Sequence, residues 1–293
     1  MTRLVLFFVS VVLLGTPVFG QSCVWKVSRG ESVLYVGGTL HLLRKSDYPL
    51  PREFDKAYDA SDAVAFEIDM TEMFDPATQV KLARAGQLPA GQTLEKLLSP
   101  EVVAMVKKSA DAVGIPFVAL NRMRPAMAMM AISMTQLARK GVNMQGVDAA
   151  YHQRAKKDKR KQLALESFDD QINMLIRLSD TNPDELMKHT IEDLERVGEI
   201  MDKIIAAWRV GDRKALNEQF VAEFVKDYPK LYDQVFRNRN LRWMKKFEAY
   251  LKTDEVEFVM FGAGHLVGPD GVLKLLEDAG CTLEQIHAGE SKN

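Results

Sequence analysis

Short apolar runs of strand-like length cluster towards the two ends of the chain, and helical spacing fills much of the middle. Strands are predicted over residues 23–28, 32–37, 63–68, 162–165, 256–261 and 282–287, the first two forming a hairpin. Helices are predicted over 52–60, 94–98, 101–113, 125–137, 147–157, 184–208, 231–251 and 272–279. This arrangement predicts an α/β fold, with a central sheet built from N- and C-terminal segments and a helical insertion over about residues 75–250.

Two segments of the chain, one near each end, have matching sequences. Residues 35–42 read Tyr-Val-Gly-Gly-Thr-Leu-His-Leu, and residues 259–266 read Val-Met-Phe-Gly-Ala-Gly-His-Leu. In both, a strand-like run ends in Gly-x-x-His-Leu, so that Gly38 and His41 match Gly262 and His265. Each glycine permits a sharp turn that a Cβ would hinder. Neighbouring strands would bring both histidines to the carboxyl edge of the sheet, where α/β proteins bind ligands. Two unrelated loop histidines are the alternative.

Glu67 is a third candidate for the same site. It lies near the end of the apolar strand 63–68, where a buried carboxylate is costly unless it is paired or bound to a metal. With His41 and His265 it would make a divalent-metal site with open positions for water, and Mn²⁺, Co²⁺ and Zn²⁺ are the candidate ions. A helix cap or an ion pair with an arginine is the alternative role for Glu67. The compact zinc signature His-Glu-x-x-His does not occur in the sequence.

A second group of polar residues lies further along the chain. Glu166 directly follows the predicted strand 162–165, and Glu67 likewise lies near the end of its own strand. The run Arg237-Asn238-Arg239-Asn240 interrupts an otherwise amphipathic helix. We predict that Arg239 stabilises an oxyanion or binds a substrate carboxylate, with Glu166 and Asn240 in support.

The first twenty residues have the pattern of a targeting segment. A positive charge at Arg3 precedes an apolar run that ends near Gly15, and Val18-Phe19-Gly20 offers a cleavage site. The run is too short for a membrane span, which needs about 20 residues. We expect cleavage before Gln21 and export to a bacterial periplasm or beyond the cell, leaving 21–293 as one domain without a stable membrane span. Lipid attachment at Cys23 is disfavoured because Gly20 stands where the lipid-attachment motif has leucine. An uncleaved amphiphilic anchor is the other alternative.

The charge and cysteine content limit which binding partners and which cellular compartment are expected. The 39 basic and 40 acidic residues nearly balance, so nothing indicates a nucleic-acid partner. Cys23 and Cys281 are the two cysteines of the sequence. In an exported chain they are candidates for a disulfide between the first and last strands, with two separate thiols as the alternative.

Taken in order, the motifs of this chain resemble those of the TraB/GumN family. The resemblance spans about residues 25–286 and is specific as an ordered set. Its motifs are Trp25-Lys26-Val27, Gly37-Gly38-Thr39-Leu40-His41, Phe66-Glu67-Ile68-Asp69, Arg124-Pro125, Gly146-Val147-Asp148, Leu165-Glu166, Arg239-Asn240 with Trp243, and Gly262-Ala-Gly-His265-Leu-Val-Gly268.

The resemblance implies a function and a set of site residues. The family includes the animal Tiki proteins, metal-dependent proteases whose site has two Gly-x-x-His motifs and a glutamate, which correspond here to His41, His265 and Glu67. It also implies a fold akin to the erythromycin-esterase and ChaN-like group. The expected function is thus an exported metal-dependent hydrolase acting on a peptide or protein, with Glu67 as ligand or general base. A metal-free esterase-like hydrolase and a periplasmic module that binds metal, haem or peptide are the alternatives.

Overall fold

The computed structural model of this protein describes residues 21–143 and 145–287. The predicted targeting segment, residues 1–20, lies outside the described residues, and its cleavage therefore stays a prediction. Within the described ranges, none of the helices is both long and apolar enough to cross a membrane.

The central feature of the fold is a six-stranded mixed sheet. Its strand order is β6-β4-β7-β2-β1-β8, and β3 and β5 form a separate two-stranded sheet. β6, β4, β7 and β2 run parallel, whereas β1 pairs antiparallel with both β2 and β8. The strands are β1 (Gln21–Arg29), β2 (Ser32–Thr39), β3 (Leu43–Arg44), β4 (Ala63–Phe66), β5 (Val142–Asn143), β6 (Lys161–Ala164), β7 (Glu257–Gly262) and β8 (Thr282–His287).

Helices cover the sheet and occupy most of the chain between β4 and β7. They are α1 (Arg52–Asp59), α2 (Pro76–Ala85), α3 (Leu94–Leu97), α4 (Pro100–Ala112), α5 (Phe117–Leu120), α6 (Pro125–Arg139), α7 (Val147–Lys157), α8 (Phe168–Thr181), α9 (Pro183–Glu195), α10 (Val197–Val210), α11 (Arg213–Phe220), α12 (Ala222–Asp227), α13 (Pro229–Tyr232), α14 (Asn238–Tyr250) and α15 (Val272–Asp278). The predicted α/β class, with a sheet from both ends of the chain, is confirmed. Strand β6 is the exception, because it joins the sheet from within the predicted insertion.

The central strands are buried on both faces because helices pack on either side of them. All four residues of β4 are buried, as are the first five of β7, which is typical of parallel strands covered by helices. Phe54, Trp208 and Phe258 pack together in this core, with ring centroids about 6 Å apart.

A second apolar core lies among the inserted helices, and it explains a break in a predicted helix. The stretch 184–208 is two helices that meet at Arg196. Ile191 and Leu194 of α9 are buried in the helical core, whereas Trp208 of α10 is buried against the sheet.

The stretch 231–251 is likewise interrupted, because a π-helical turn at Asp233–Arg237 precedes α14.

Of the two possibilities for Cys23 and Cys281, the structure shows separate thiols and no disulfide. Both cysteines are buried free thiols, and burial raises the pKa of each. The antiparallel register pairs Ser28 with Thr282, which places Cys281 next to Arg29 at the far end of β1 from Cys23. Six residues of strand correspond to about 20 Å, far beyond the roughly 7 Å limit between bridged Cα atoms.

Candidate functional site

The two Gly-x-x-His segments lie side by side at the carboxyl edge of the sheet. β2 and β7 are parallel neighbours, and Gly38 pairs with Phe261 while Thr39 pairs with Gly262. His41 and His265 therefore follow adjacent strand ends. They differ in exposure, because the His41 side chain is 57% exposed whereas His265 is buried.

The motif glycines permit close approach of the two segments, and neither has the positive φ that a sharp left-handed turn would require. A Cβ on Gly38 would lie 2.2 Å from a methyl group of Leu266 and 3.2 Å from the Ala263 Cα. A Cβ on Gly262 would fill the space between Glu67 and His41. The prediction that these glycines serve backbone turns is therefore wrong: they leave room for neighbouring atoms.

His265 is a neutral imidazole held in one orientation. Its Nδ1 donates to the Asn240 side-chain oxygen at 2.6 Å, and its Nε2 accepts from Arg239 Nη1 at 2.9 Å. Trp243 packs against the ring with centroids 4.5 Å apart. Burial, together with the charge of Arg239, lowers the pKa of His265 to about 3. Asn240 is in turn fixed by donating to the Asp270 carbonyl oxygen at 2.8 Å.

Glu67 and Glu166 lie next to each other and share Arg239. Their adjacency follows from the parallel pairing of β4 with β6, which continues past the strand ends as Glu166 N donates to the Glu67 carbonyl oxygen at 2.9 Å. Arg239 Nη2 donates to both carboxylates. Burial raises the pKa of Glu67, but the charge of Arg239 and the Gly262 N–H outweigh it and hold that pKa well below its usual range.

All five N–H groups of Arg239 donate to protein acceptors. Nε and Nη2 donate to Glu166, Nη2 also donates to Glu67, and Nη1 donates to His265 and to the Val235 carbonyl oxygen. The guanidinium is buried and stabilises both carboxylates as anions. The predicted oxyanion role thus requires that one of these contacts be released.

Asp148 is a site residue that the sequence reasoning missed. Its Oδ2 accepts from His41 Nδ1 at 2.7 Å, and its Oδ1 accepts from Thr39 Oγ1 at 2.8 Å. The charge of Asp148 raises the pKa of His41 to about 9. Water screens part of this attraction, because more than half of the His41 side chain is exposed. With Nδ1 engaged, His41 Nε2 faces Glu67 Oε1 at 3.8 Å.

Gly146 explains how Asp148 reaches His41. The Val147 N–H at the start of α7 donates to the Leu40 carbonyl oxygen at 3.0 Å. A Cβ on Gly146 would lie 2.2 Å from that oxygen, so a larger residue would separate α7 from the segment that carries His41. The motif Gly146-Val147-Asp148 was the sequence signal for this contact.

The residue types at the site suit a divalent ion, and two of the three predicted ligands face one shared space. A Cβ on Gly262 would lie 3.2 Å from Glu67 Oε1, 3.4 Å from His41 Nε2 and 3.8 Å from His265 Cδ2. Ligand atoms at about 2.0–2.2 Å from one ion are at most about 4.4 Å apart, which fits His41 Nε2 and Glu67 Oε1. His265 Nε2 instead accepts from Arg239. Accordingly, no three His, Cys, Asp or Glu side chains in the described ranges are arranged around one ion, and His265 would become a ligand only after Arg239 releases it.

Replacing Asp148 by asparagine is expected to lower the pKa of His41 towards the ordinary value of about 6.5, because the neutral amide no longer stabilises the imidazolium. NMR titration of the His41 ring in chelator-treated protein measures this shift. Asp158→Asn, at the other end of α7, is the control and should leave His41 unchanged. A His41 pKa near 9 in the Asp148 variant would contradict the assignment.

The fold and this cluster define an α/β protein with a polar centre at the carboxyl edge of its parallel strands. The chain belongs to the TraB/PrgY/gumN family, whose sequence model matches residues 23–285. The family resemblance of the motifs is thereby confirmed.

Among curated proteins, the chain is similar to several animal metalloproteases. It is 24% identical to the zebrafish (Danio rerio) Metalloprotease TIKI1 over 92% of this chain and 64% of that protein. It is 26% identical to Metalloprotease TIKI2 of Xenopus tropicalis over 92% of this chain and 61% of that protein, and 24% identical to the human TIKI1 over 93% and 64%. The chain thus spans somewhat more than three fifths of the length of these relatives. No solved structure matches it significantly.

Proposed function

We propose that this protein is an exported metal-dependent hydrolase that cleaves peptide bonds, using His41, Glu67 and His265. The observation that carries the proposal is the convergence of His41 Nε2 and Glu67 Oε1 on the space beside Gly262, in a chain similar to named metalloproteases. Export would be directed by residues 1–20, and the substrate would be a peptide or protein in the periplasm or outside the cell.

Each residue has a role that follows from its contacts. A bound divalent ion would polarise the scissile carbonyl and lower the pKa of an attacking water. Glu67 contributes negative charge as a ligand; its low pKa makes it a weak general base, since efficient bases have a pKa near the working pH. Asp148 orients His41 so that Nε2 points to the reaction space. Asn240 fixes the tautomer of His265 that leaves a lone pair on Nε2.

Hydrolysis without a metal is the second candidate, and the His41–Asp148 pair is the observation that favours it. A carboxylate that holds the Nδ1–H of an imidazole orients the opposite nitrogen for proton transfer, as in hydrolytic triads. In this protein His41 Nε2 would exchange a proton with water or the leaving group, with Glu67 3.8 Å away.

Metal analysis and a cleavage assay on the same sample separate these candidates. Protein isolated from the periplasm without added metal should contain a divalent ion on elemental analysis. Mass spectrometry of a peptide library should show cleavage that a chelator abolishes and that Mn²⁺, Co²⁺ or Zn²⁺ restores. Turnover that persists with chelator would favour the metal-free hydrolase. Bound metal without turnover would favour a periplasmic binding module.

A further inference from the structure

An apolar cavity of about 390 Å³ opens directly from the site. His41, Glu67 and Arg239 form its polar end, together with the backbone after β7. These three side chains contact or face one another, so the charges of the described lining residues are concentrated at that end. Thr39 and His265 also line the cavity, and the remaining side chains of the described wall are apolar.

One face of α10 supplies a large part of the apolar wall. Val197, Ile200, Met201 and Ile204 line the cavity at the i, i+3, i+4 and i+7 spacing of one helix face. Each is only partly buried, whereas Trp208 on the same helix is fully buried against the sheet. The first turns of α10 therefore present an incompletely covered apolar stripe to the cavity, which Leu42 and Phe236 also line.

The residues that line the cavity determine which chemical groups it can bind. Apolar surface stabilises an apolar group by about 25 cal/mol for each Å² removed from water. A charged group beyond the polar end would lose its hydration without gaining a partner among the described lining residues, which carries a large cost. The volume lies within the roughly 300–1,000 Å³ of small-ligand pockets, so a side chain as large as phenylalanine can be accommodated.

We infer that this cavity binds a large apolar side chain of the substrate next to the scissile bond, and that Ile200, Met201 and Ile204 determine this specificity. The inference rests on the proposed hydrolase, because the polar end of the cavity is the proposed catalytic site. Substrates with leucine, methionine or phenylalanine at this position are preferred, and those with aspartate or lysine are rejected.

Peptides that differ only at one residue beside the cleaved bond test the inference. Their affinity for chelator-treated protein is measured by fluorescence anisotropy, and their kcat/KM is measured with active protein. Leucine and phenylalanine peptides should exceed the alanine peptide by at least about 10-fold in both, since each methylene in an apolar pocket is worth about 10–200-fold. Aspartate and lysine peptides should be weaker still.

A matched pair of variants on α10 identifies the cavity as the cause. Met201→Lys places a cation in the apolar wall, so it should remove the preference for leucine and favour the aspartate peptide over the lysine peptide. Glu199→Lys adds the same side chain at an exposed position of the same helix and should leave the preferences unchanged. This change of specificity distinguishes Met201→Lys from a variant that has only lost stability.

Failure of the inference and failure of the proposed function give different results. Cleavage that ignores the flanking residue, or that keeps its leucine preference in Met201→Lys, overturns the inference and supports the hydrolase. Binding with the apolar preference but without cleavage by metal-supplemented protein supports the cavity and contradicts the hydrolase. Absence of both binding and cleavage overturns both.

Discussion

Glu67→Gln is expected to reduce peptide turnover by about 10²–10³-fold, the range for loss of one group that acts electrostatically in the transition state, while the sheet stays folded. The amide oxygen can still accept the Gly262 N–H, which donates to Glu67 Oε1 at 2.7 Å. Arg239 keeps its contacts with Glu166. The lost property is therefore the negative charge next to His41.

Glu257→Gln is the matched control for this loss. Glu257 is also a buried carboxylate, but it lies at the opposite, amino end of β7. Burial raises the pKa of Glu257, so a neutral amide suits that position better than an anion does. Turnover should be unchanged and stability should not fall. Measurement of kcat and of thermal unfolding on both variants checks this, and full activity in Glu67→Gln would remove Glu67 from the mechanism.

Arg239→Met is expected to destabilise the metal-free protein by about 3–5 kcal/mol, because it leaves buried carboxylates without their cation. The Glu67 and Glu166 side chains are only 9% and 3% exposed. Arg242 is the control, since it lies one turn of helix away and is half exposed. Its Nη2 comes no closer to Glu166 Oε2 than 3.9 Å. Arg242→Met should cost less than about 1 kcal/mol, as is usual for exposed pairs. Urea unfolding in the presence of chelator measures both changes.

The pH dependence of the Arg239→Met effect tests its cause. In the natural protein the pKa of Glu67 is below its unfolded value, so the stabilisation is present above about pH 4.3 and is lost as pH falls through the folded pKa. Without Arg239, burial is the dominant effect on Glu67. The pKa of Glu67 in the folded variant then rises above its unfolded value, and protonation of Glu67 stabilises the variant. The difference in free energy of unfolding between the natural protein and Arg239→Met should therefore become smaller as the pH falls from 7 to 5. A difference independent of pH would indicate lost packing instead of unpaired charge.

The strand pattern predicted most of the fold, because apolar runs report burial directly. The matched Gly-x-x-His segments also predicted that His41 and His265 follow strands that are neighbours, as β2 and β7 are. The sequence left open whether Cys23 and Cys281 are bonded, because an apolar pattern does not reveal how two antiparallel strands are aligned. Residues Cys23 and Cys281 could be assigned to the right strands and still be at opposite ends of them.

Contacts between segments that are far apart along the chain could not be predicted from the sequence. Asp148 meets His41 only because α7 begins against the Leu40 carbonyl oxygen, a contact set by tertiary packing. An ion pair with an arginine was the alternative role for Glu67, and the structure shows that pair, but the sequence did not identify Arg239 as the arginine that binds both Glu67 and Glu166. Residue type made Arg239, Glu67 and Glu166 candidates for a site, whereas their contact partners depend on the assembled fold.

The position of β7 in the sheet has a consequence for the order in which the molecule can form. β7 lies between β2 and β4, although nearly two hundred residues separate it from β4 along the chain. N-terminal segments are made first during synthesis. One edge of β2 and one edge of β4 therefore stay unpaired until β7 has been produced. Such long-range closure makes folding slow. Because β7 also carries His265 to the site, a chain without β7 has no assembled polar centre.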